Sequence, residues 1–329
     1  MLKSYRNFPF LAIYEVIYYI DKIHLMIKEL QIKNTSWISI TRPTREDIDT
    51  LRSQFPDIHP LVLEDLRTPT IRPFTENYER ELYLVMHFPV LVSDKNKVNT
   101  REIDFILRKK AMITVQYEHI PELEEIWTEC GANNGATEKY GRSPAHLLYY
   151  ILKRIFSRVL VELDQIQAEI DKAEEEVFAG REKEILTDIT ILKRDVLDFS
   201  RAIKPQRMTL ESLLEEGPEL YGDESHPFLK ALLSEYNRAA NLLENHKEAL
   251  DALYDTTSSQ LATKTNEIMR VFTILAFITF IPTVVANIYG MNVINIPFAD
   301  HPIAFWIVIG FMIIATVAIY LALKWRKLV

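Results

Sequence analysis

A chain of 329 residues is long enough for about two domains, and its net charge of −8 argues against a nucleic-acid partner. Cys130 is the only cysteine, which excludes an intrachain disulfide and a zinc site built from several cysteines of one chain, and which suits a reducing cytosol. The 48% apolar content is ordinary for a soluble protein, but its distribution along the chain is not.

Residues 1–25 read as an N-terminal extension. Phe8–Ile20 is apolar and aromatic behind Lys3 and Arg6, as in a signal peptide, yet Glu15 interrupts it and no small-residue cleavage site follows. The alternatives are a peripheral helix or strand, or an extended start ahead of Met26. Residues 26–135 read as a cytoplasmic α/β domain. Trp37–Thr41 is a short strand, Thr44 caps a helix over Arg45–Phe55, and Glu81–Val92 and Arg101–Tyr117 are strand-rich, the second broken by a turn at Lys109-Lys110. Pro121 opens a helix to Glu129, and a loop over Gly131–Gly141 follows.

Residues 142–226 read as a helical hairpin. Leu147, Leu148, Ile151, Leu152, Ile155, Val159, Leu160, Leu163, Ile166 and Ile170 recur at steps of three and four, the signature of a long amphipathic helix. Glu174-Glu175-Glu176, Gly180 and Arg181 mark its end, and Ile185–Leu214 is expected as a single antiparallel return helix. From Pro227 to Gly290 no glycine and no proline but Pro282 interrupts a helical pattern, which predicts a helix about 95 Å long. Residues 227–270 are its stalk. A lone helix of that length is unstable, so bundling with copies of itself is expected.

Val271–Ala299 and Pro302–Leu323 carry no charged side chain, and each exceeds the roughly 20 residues that cross a bilayer. These give transmembrane helix 1 over 271–290, a loop over 291–301, transmembrane helix 2 over 302–323 and a basic tail over 324–329. Lys264 and Arg270 precede the first span, and Lys324, Arg326 and Lys327 follow the second, whereas the loop has neither Lys nor Arg. By the positive-inside rule both termini are cytoplasmic and the loop is extracytoplasmic, in a multi-pass protein of the cytoplasmic (inner) membrane.

One face of the long helix is unusual. Stepping back from Asn287 through Thr283, Phe280, Ala276, Thr273, Met269, Asn266, Ala262, Ser259 and Asp255 gives a mean spacing of about 3.5 residues, the seam that a helix turns toward the axis of a left-handed bundle. Polar and small residues alternate there with bulky apolar ones. Such a mixture suits a narrow conduit in which oxygens hold an ion's water shell and Phe280 and Met269 form dry constrictions. It suits interhelical hydrogen bonding equally well. No phosphate loop, nucleophile motif or metal-hydrolase pattern points to an enzyme, and the eight histidines show no ligand-like pairing.

Tyr289-Gly290-Met291-Asn292, after a proline-containing first span and before a short loop and a second span, resembles the signature of the CorA family of magnesium transporters. Leu253-Tyr254-Asp255, Ser258-Ser259, Asn266-Glu267-Ile268-Met269-Arg270, Phe272-Thr273 and Pro282-Thr283 are similar to the family's stalk and first span in order. Upstream, His59-Pro60-Leu61-Val62-Leu63-Glu64-Asp65, Arg72-Pro73, Asn77-Tyr78 and the acidic helix end Ile166–Val177 resemble its cytoplasmic domain.

The resemblance implies an α/β cytoplasmic domain, a long stalk helix and a two-helix transmembrane domain assembled as a funnel-shaped homopentamer in a lipid bilayer, with Mg2+ as the transported and a regulatory cation. It implies a selectivity filter of Gly290, Met291 and Asn292. The Asn292 carboxamides would select a hydrated dication, because Mg2+ sheds its waters reluctantly. Gly290 would let the backbone turn, and Tyr289 and Met291 would pack that turn. Asp255 would add a lower carboxylate ring that meets the metal, or is a solvated stalk residue.

The loop departs from the family's Met-Pro-Glu pattern: Val293–Asp300 keeps Pro297 without the glutamate. Asp300 then either replaces that acid at the outer mouth or caps the next helix. His301 is the outer-mouth residue to test for zinc. The acid expected early in the stalk is replaced around Ala231, leaving Asp94 and Glu235 as remnants of a regulatory site. Met291 points to Mg2+, Co2+ or Ni2+. A zinc-transporting branch of the superfamily and a non-conducting membrane-anchored scaffold are the rival readings.

Overall fold

The computed structural model describes residues 27–92, 97–132, 134–291 and 302–325. The N-terminal extension, Asp94, residues 292–301 and the tail 326–329 lie outside the described residues.

Alternating apolar residues build a six-stranded sheet. Its strands are β1 (Ile27–Ile32), β2 (Thr35–Thr41), β3 (Phe74–Asn77), β4 (Glu81–Val92), β5 (Lys97–Arg108) and β6 (Ala111–Gln116), in the order β1-β2-β6-β5-β4-β3. All neighbours are antiparallel except β2 and β6, which pair in parallel from Ser36↔Ala111 to Thr41↔Gln116. The turn expected at Lys109-Lys110 joins β5 to β6. The strands β1 and β3 were not expected, because IKELQI and FTEN are too polar to read as half-buried strands.

Two short helices cover one face of the sheet. Helix α1 (Arg45–Gln54) starts at the expected Thr44, whose hydroxyl accepts from the Asp47 amide while Asp47 accepts from the Thr44 amide. Helix α2 (Pro60–Asp65) opens on a proline, whose missing amide costs nothing at a helix start. Ile48, Leu51, Val62, Leu63 and Leu66 meet Ile38, Ile40, Tyr83, Val85, Ile106, Ile113 and Val115 of the sheet in one buried cluster. Each such side chain contributes roughly 1.5–3 kcal/mol by leaving water.

The opposite face holds Trp37, whose indole N–H donates to Thr114 and whose ring meets Trp127 edge-on at 4.8 Å, and Phe88, which meets Phe156 at 5.6 Å. Trp127 belongs to α3 (Pro121–Ala132) and Phe156 to α5 (Pro144–Phe178). The stretch expected as a loop before α5 instead contains the short helix α4 (Asn134–Tyr140). Gly141 then passes so close to β1 that a Cβ would lie 2.4 Å from the Ile32 carbonyl, so only glycine fits this junction.

The expected single return helix is two helices, α6 (Glu182–Ile203) and α7 (Gln206–Tyr221). Pro205 explains the break: it cannot donate to the ladder and it disfavours helical backbone at Lys204. Helix α7 packs on β3 and β4, where Thr75 donates to the Thr209 carbonyl. Helix α8 (His226–Tyr289) is continuous for 64 residues, and α9 (Ala304–Trp325) completes the chain.

The chain forms two compact units. The first comprises the described residues up to Ala173 together with Ile189–Asp251, and the second comprises Glu174–Asp188 with Ala252 onward.

Candidate functional site

In the second unit, the 271–289 stretch of α8 and most of α9 are predominantly apolar, and many of their large side chains are exposed. Val271, Phe272, Leu275, Phe277, Phe280 and Ile288 of α8, and Phe305, Trp306, Ile313, Ile314 and Leu321 of α9, are all at least half exposed or close to it. Both helices are long and apolar enough to cross a membrane. Within them backbone groups pair inside the helix, the arrangement that a hydrocarbon solvent requires.

Exposure is not uniform around α8. Ile274, Ile278, Ile281, Val285 and Tyr289, at steps of four, three, four and four, are half-covered. On α9 the half-covered residues Val308, Met312, Ala315, Thr316 and Ile319 also make one stripe. Each span thus has a half-covered stripe and a more exposed remainder. Sequence reasoning missed this Ile/Val stripe, although its spacing was available, because the polar face drew attention away from it.

Thr273, Ala276, Phe280, Thr283 and Asn287 are exposed, and at 3.6 residues per turn their mean direction lies roughly 160° from the covered stripe. Met269, Asn266, Ala262, Ser259 and Asp255 continue the exposed face. The structure therefore brings all the expected lining residues onto one uncovered face of one helix. Asp255 is exposed and lies about 48 Å along the helix from Asn287 at 1.5 Å per residue.

The hydroxyls on this face have a specific orientation. Thr273 Oγ1 donates to the Met269 carbonyl and Thr283 Oγ1 to the Thr279 carbonyl, both at 2.7 Å. With its proton turned onto the helix, each oxygen presents lone pairs outward. Such an oxygen accepts from water, and the waters around a cation point their hydrogens outward. Pro282 sits beside Thr283 and removes the amide that would bond the Ile278 carbonyl.

At the end of α8 the Gly290 amide donates to the Ala286 carbonyl at 2.9 Å and the Met291 amide to the Ile288 carbonyl at 3.3 Å, so the last turn tightens. A Cβ on Gly290 would stand 3.1 Å from the Ala286 oxygen. The glycine is thus matched to a close approach in the final turn, with no left-handed backbone involved. Met291 is exposed in the chain and Tyr289 is half-covered. Asn292, Asp300 and His301 lie outside the described residues. Among the described residues no group of three or more His, Cys, Asp or Glu side chains is placed to hold a metal ion. Glu235 pairs with Arg238 at 3.4 Å.

Residues 33–325 match the family described as CorA-like Mg2+ transporter protein. The chain belongs to this family. It is accordingly a CorA-family divalent-cation transporter. The cobalt/magnesium transport protein CorA of Thermotoga maritima is 29% identical over 292 residues, covering 89% of this chain and 83% of that protein. Among solved structures, CorA of Methanocaldococcus jannaschii superposes with a TM-score of 0.75 at 21% identity, covering 93% of each chain, and full-length CmaX with 0.71 at 18% identity, covering 88% of this chain and 89% of that one. The cytoplasmic domain of ZntB from Vibrio parahaemolyticus matches at TM-score 0.61 and 14% identity, over 73% of this chain and all of that one. The fold of the soluble part is therefore shared among these proteins.

Proposed function

We propose that this chain conducts Mg2+, and with it Co2+ and Ni2+, across the cytoplasmic membrane through the centre of a homopentamer. Copies of α8 surround the pathway with the face from Asp255 to Asn287, and a ring of Asn292 side chains with Gly290 and Met291 selects the hydrated ion. The observation that carries this reading is the division of α8 into two opposite faces, a half-covered Ile/Val stripe and an exposed face on which polar, small and bulky residues alternate. Acceptor oxygens at Thr273 and Thr283 support passage of an ion that keeps its waters. The relatives named cobalt/magnesium transport protein CorA support the choice of cations. Both termini face the cytoplasm in this arrangement, and Asp300 and His301 stand at the outer mouth.

The test is uptake of Mg2+, Co2+, Ni2+ and Zn2+ into proteoliposomes containing the wild type or Asn292→Ala. Wild type passes the first three, and Asn292→Ala loses flux or selectivity. A wild type that passes no dication sinks the transport reading, uptake of Zn2+ alone replaces the cation, and an Asn292→Ala variant with unchanged flux and selectivity sinks the filter.

A further inference from the structure

A buried group of acids in the first unit has no part in the pathway. Glu102 and Asp104 are two residues apart on β5 and therefore share one face of the sheet, beneath α2 and the loop that follows it. Asp104 is 0% exposed and Glu102 7%. Tyr83 and Tyr117 both donate to Asp104 Oδ2, at 3.0 and 3.1 Å. Among the described residues Asp104 Oδ1 has no hydrogen-bond partner, and the Glu102 carboxylate on the same face is near enough to raise the Asp104 carboxyl. Two ionised carboxylates in that relation, away from water, would cost several kcal/mol. A single proton between them removes the conflict.

The groups facing the pair come from every neighbouring element. Asp65 at the end of α2 adds negative charge, as its effect on Tyr83 and Tyr117 indicates. From β4, His87 Nε2 stands 3.2 Å from Glu102 Oε2, opposite it in register. Among the described residues no lysine or arginine pairs with either carboxyl. The remaining partner is Thr70, in the loop between α2 and β3: its amide reaches both Glu102 oxygens at 2.9 Å and its hydroxyl donates to Oε1 at 3.2 Å. Leu66 anchors the start of the loop in the core, but Ile71 is 92% exposed, so around Thr70 these bonds rather than apolar burial hold the loop.

We propose that Asp104 and Glu102 share one proton, held between Asp104 Oδ1 and a Glu102 oxygen, and that this proton latches the 66–73 loop to the sheet through Thr70. When the proton leaves to bulk water, two carboxylates face each other, Glu102 is repelled, and its hold on Thr70 weakens. Burial, and next the Glu102 charge, push the Asp104 carboxyl well above the usual carboxylate range, while the tyrosine hydroxyls pull partly the other way. Because the folded value is raised above the ordinary 3.8, the contribution to stability is complete below that value and is lost as pH rises through the folded one. The latch is thus closed in acid and open in alkali. It stands independently of the pore.

Hydrogen exchange of the loop amides 66–68 and 70–72 in the full-length protein in nanodiscs reads the latch directly. Corrected for intrinsic base catalysis, wild-type protection falls about tenfold per pH unit once the proton is released, the slope of one linked proton. Asp104→Asn keeps the shape, accepts from the tyrosines and donates a permanent N–H to Glu102, so its profile is flat. Infrared difference spectra of wild type against Asp104→Asn, taken below the pH at which protection begins to fall, show a protonated carboxyl stretch in wild type alone. A flat wild-type profile, a variant that follows wild type, or a missing carboxyl band overturns the proposal. So does a tightly held divalent ion that is present in purified wild type and lost from Asp104→Asn, which would make the pair a metal site.

Discussion

The two units of the chain treat apolar and polar side chains in opposite ways. In the first unit Trp37, Tyr83, Phe105 and Phe156 are fully buried, and several buried polar side chains are tied across strands, as Thr114 is to Trp37 and Asp104 to Tyr83. In the second unit the bulky apolar residues face outward, and the hydroxyls of Thr273 and Thr283 bond only to their own helix. The first pattern is a solution for water, in which burying apolar area supplies the stability. The second is a solution for lipid, in which the backbone must satisfy itself and apolar side chains need no burial. What remains polar on an outward face of such a helix therefore needs another explanation than stability, and ion passage supplies one.

The comparison is broken most severely by making the same substitution in both units. Phe105→Ala, in the central strand β5, removes a fully buried ring and lowers stability by about 3–5 kcal/mol, read as a large drop in the thermal midpoint of the soluble-domain signal. Phe280→Ala, exposed on the α8 face, shifts that midpoint little and instead raises cation flux by removing a dry constriction. If Phe280→Ala destabilises the protein as much as Phe105→Ala, the ring is packing and not lining. A smaller effect follows from the threonines. Thr283→Val preserves shape but removes the acceptor oxygen, and loss of about 1.4 kcal/mol of ion–water support corresponds to about tenfold less Mg2+ uptake. Thr283→Ser restores the oxygen and should restore uptake; a valine variant with wild-type flux would assign that hydroxyl to helix structure alone.

The sequence was most legible where one period dominates. The repeat from Leu147 to Ile170 shows as α5, the absence of glycine from Pro227 to Tyr289 shows as the single helix α8, and Thr44 shows as the cap of α1. Legibility failed where local composition and tertiary context disagree. The strand β1 carries Lys28, Glu29 and Gln31 yet pairs with β2 along its whole length, because the sheet edge supplies what its side chains do not. Pro205 divides the return helix that was expected to run unbroken from Ile185 to Leu214. The acid pair was not seen at all: Glu102 and Asp104 look like exposed alternation in a strand, and only the covering by α2 and the loop after it reveals that they are inside. The proposed lining face of α8 was read from spacing, whereas the opposite Ile/Val stripe shows only in the exposure pattern of the folded chain.

The smallest expected effect concerns a residue that violates the rule of its own unit. His246 is fully buried in the first unit, and among the described residues neither ring nitrogen has a hydrogen-bond partner. Burial holds its imidazole below the ordinary 6.5, with Asp164 and then Asp171 pulling the other way, so the ring is neutral near neutrality. Because the folded value is depressed, stability is complete above 6.5 and is lost as pH falls from there through the folded value. An orphaned buried polar group costs about 1–3 kcal/mol, and His246→Leu, which removes it at similar volume, should raise stability by about 1 kcal/mol while flattening the acid side of the stability–pH profile. The alkaline side, which depends on Asp104, should not change. A leucine variant that is less stable than wild type, or that keeps the acid slope, would mean that the imidazole is satisfied in the assembled protein by a group that a single chain lacks, and the contrast between a water-solved and a lipid-solved unit would then extend to a third environment, the interface between copies.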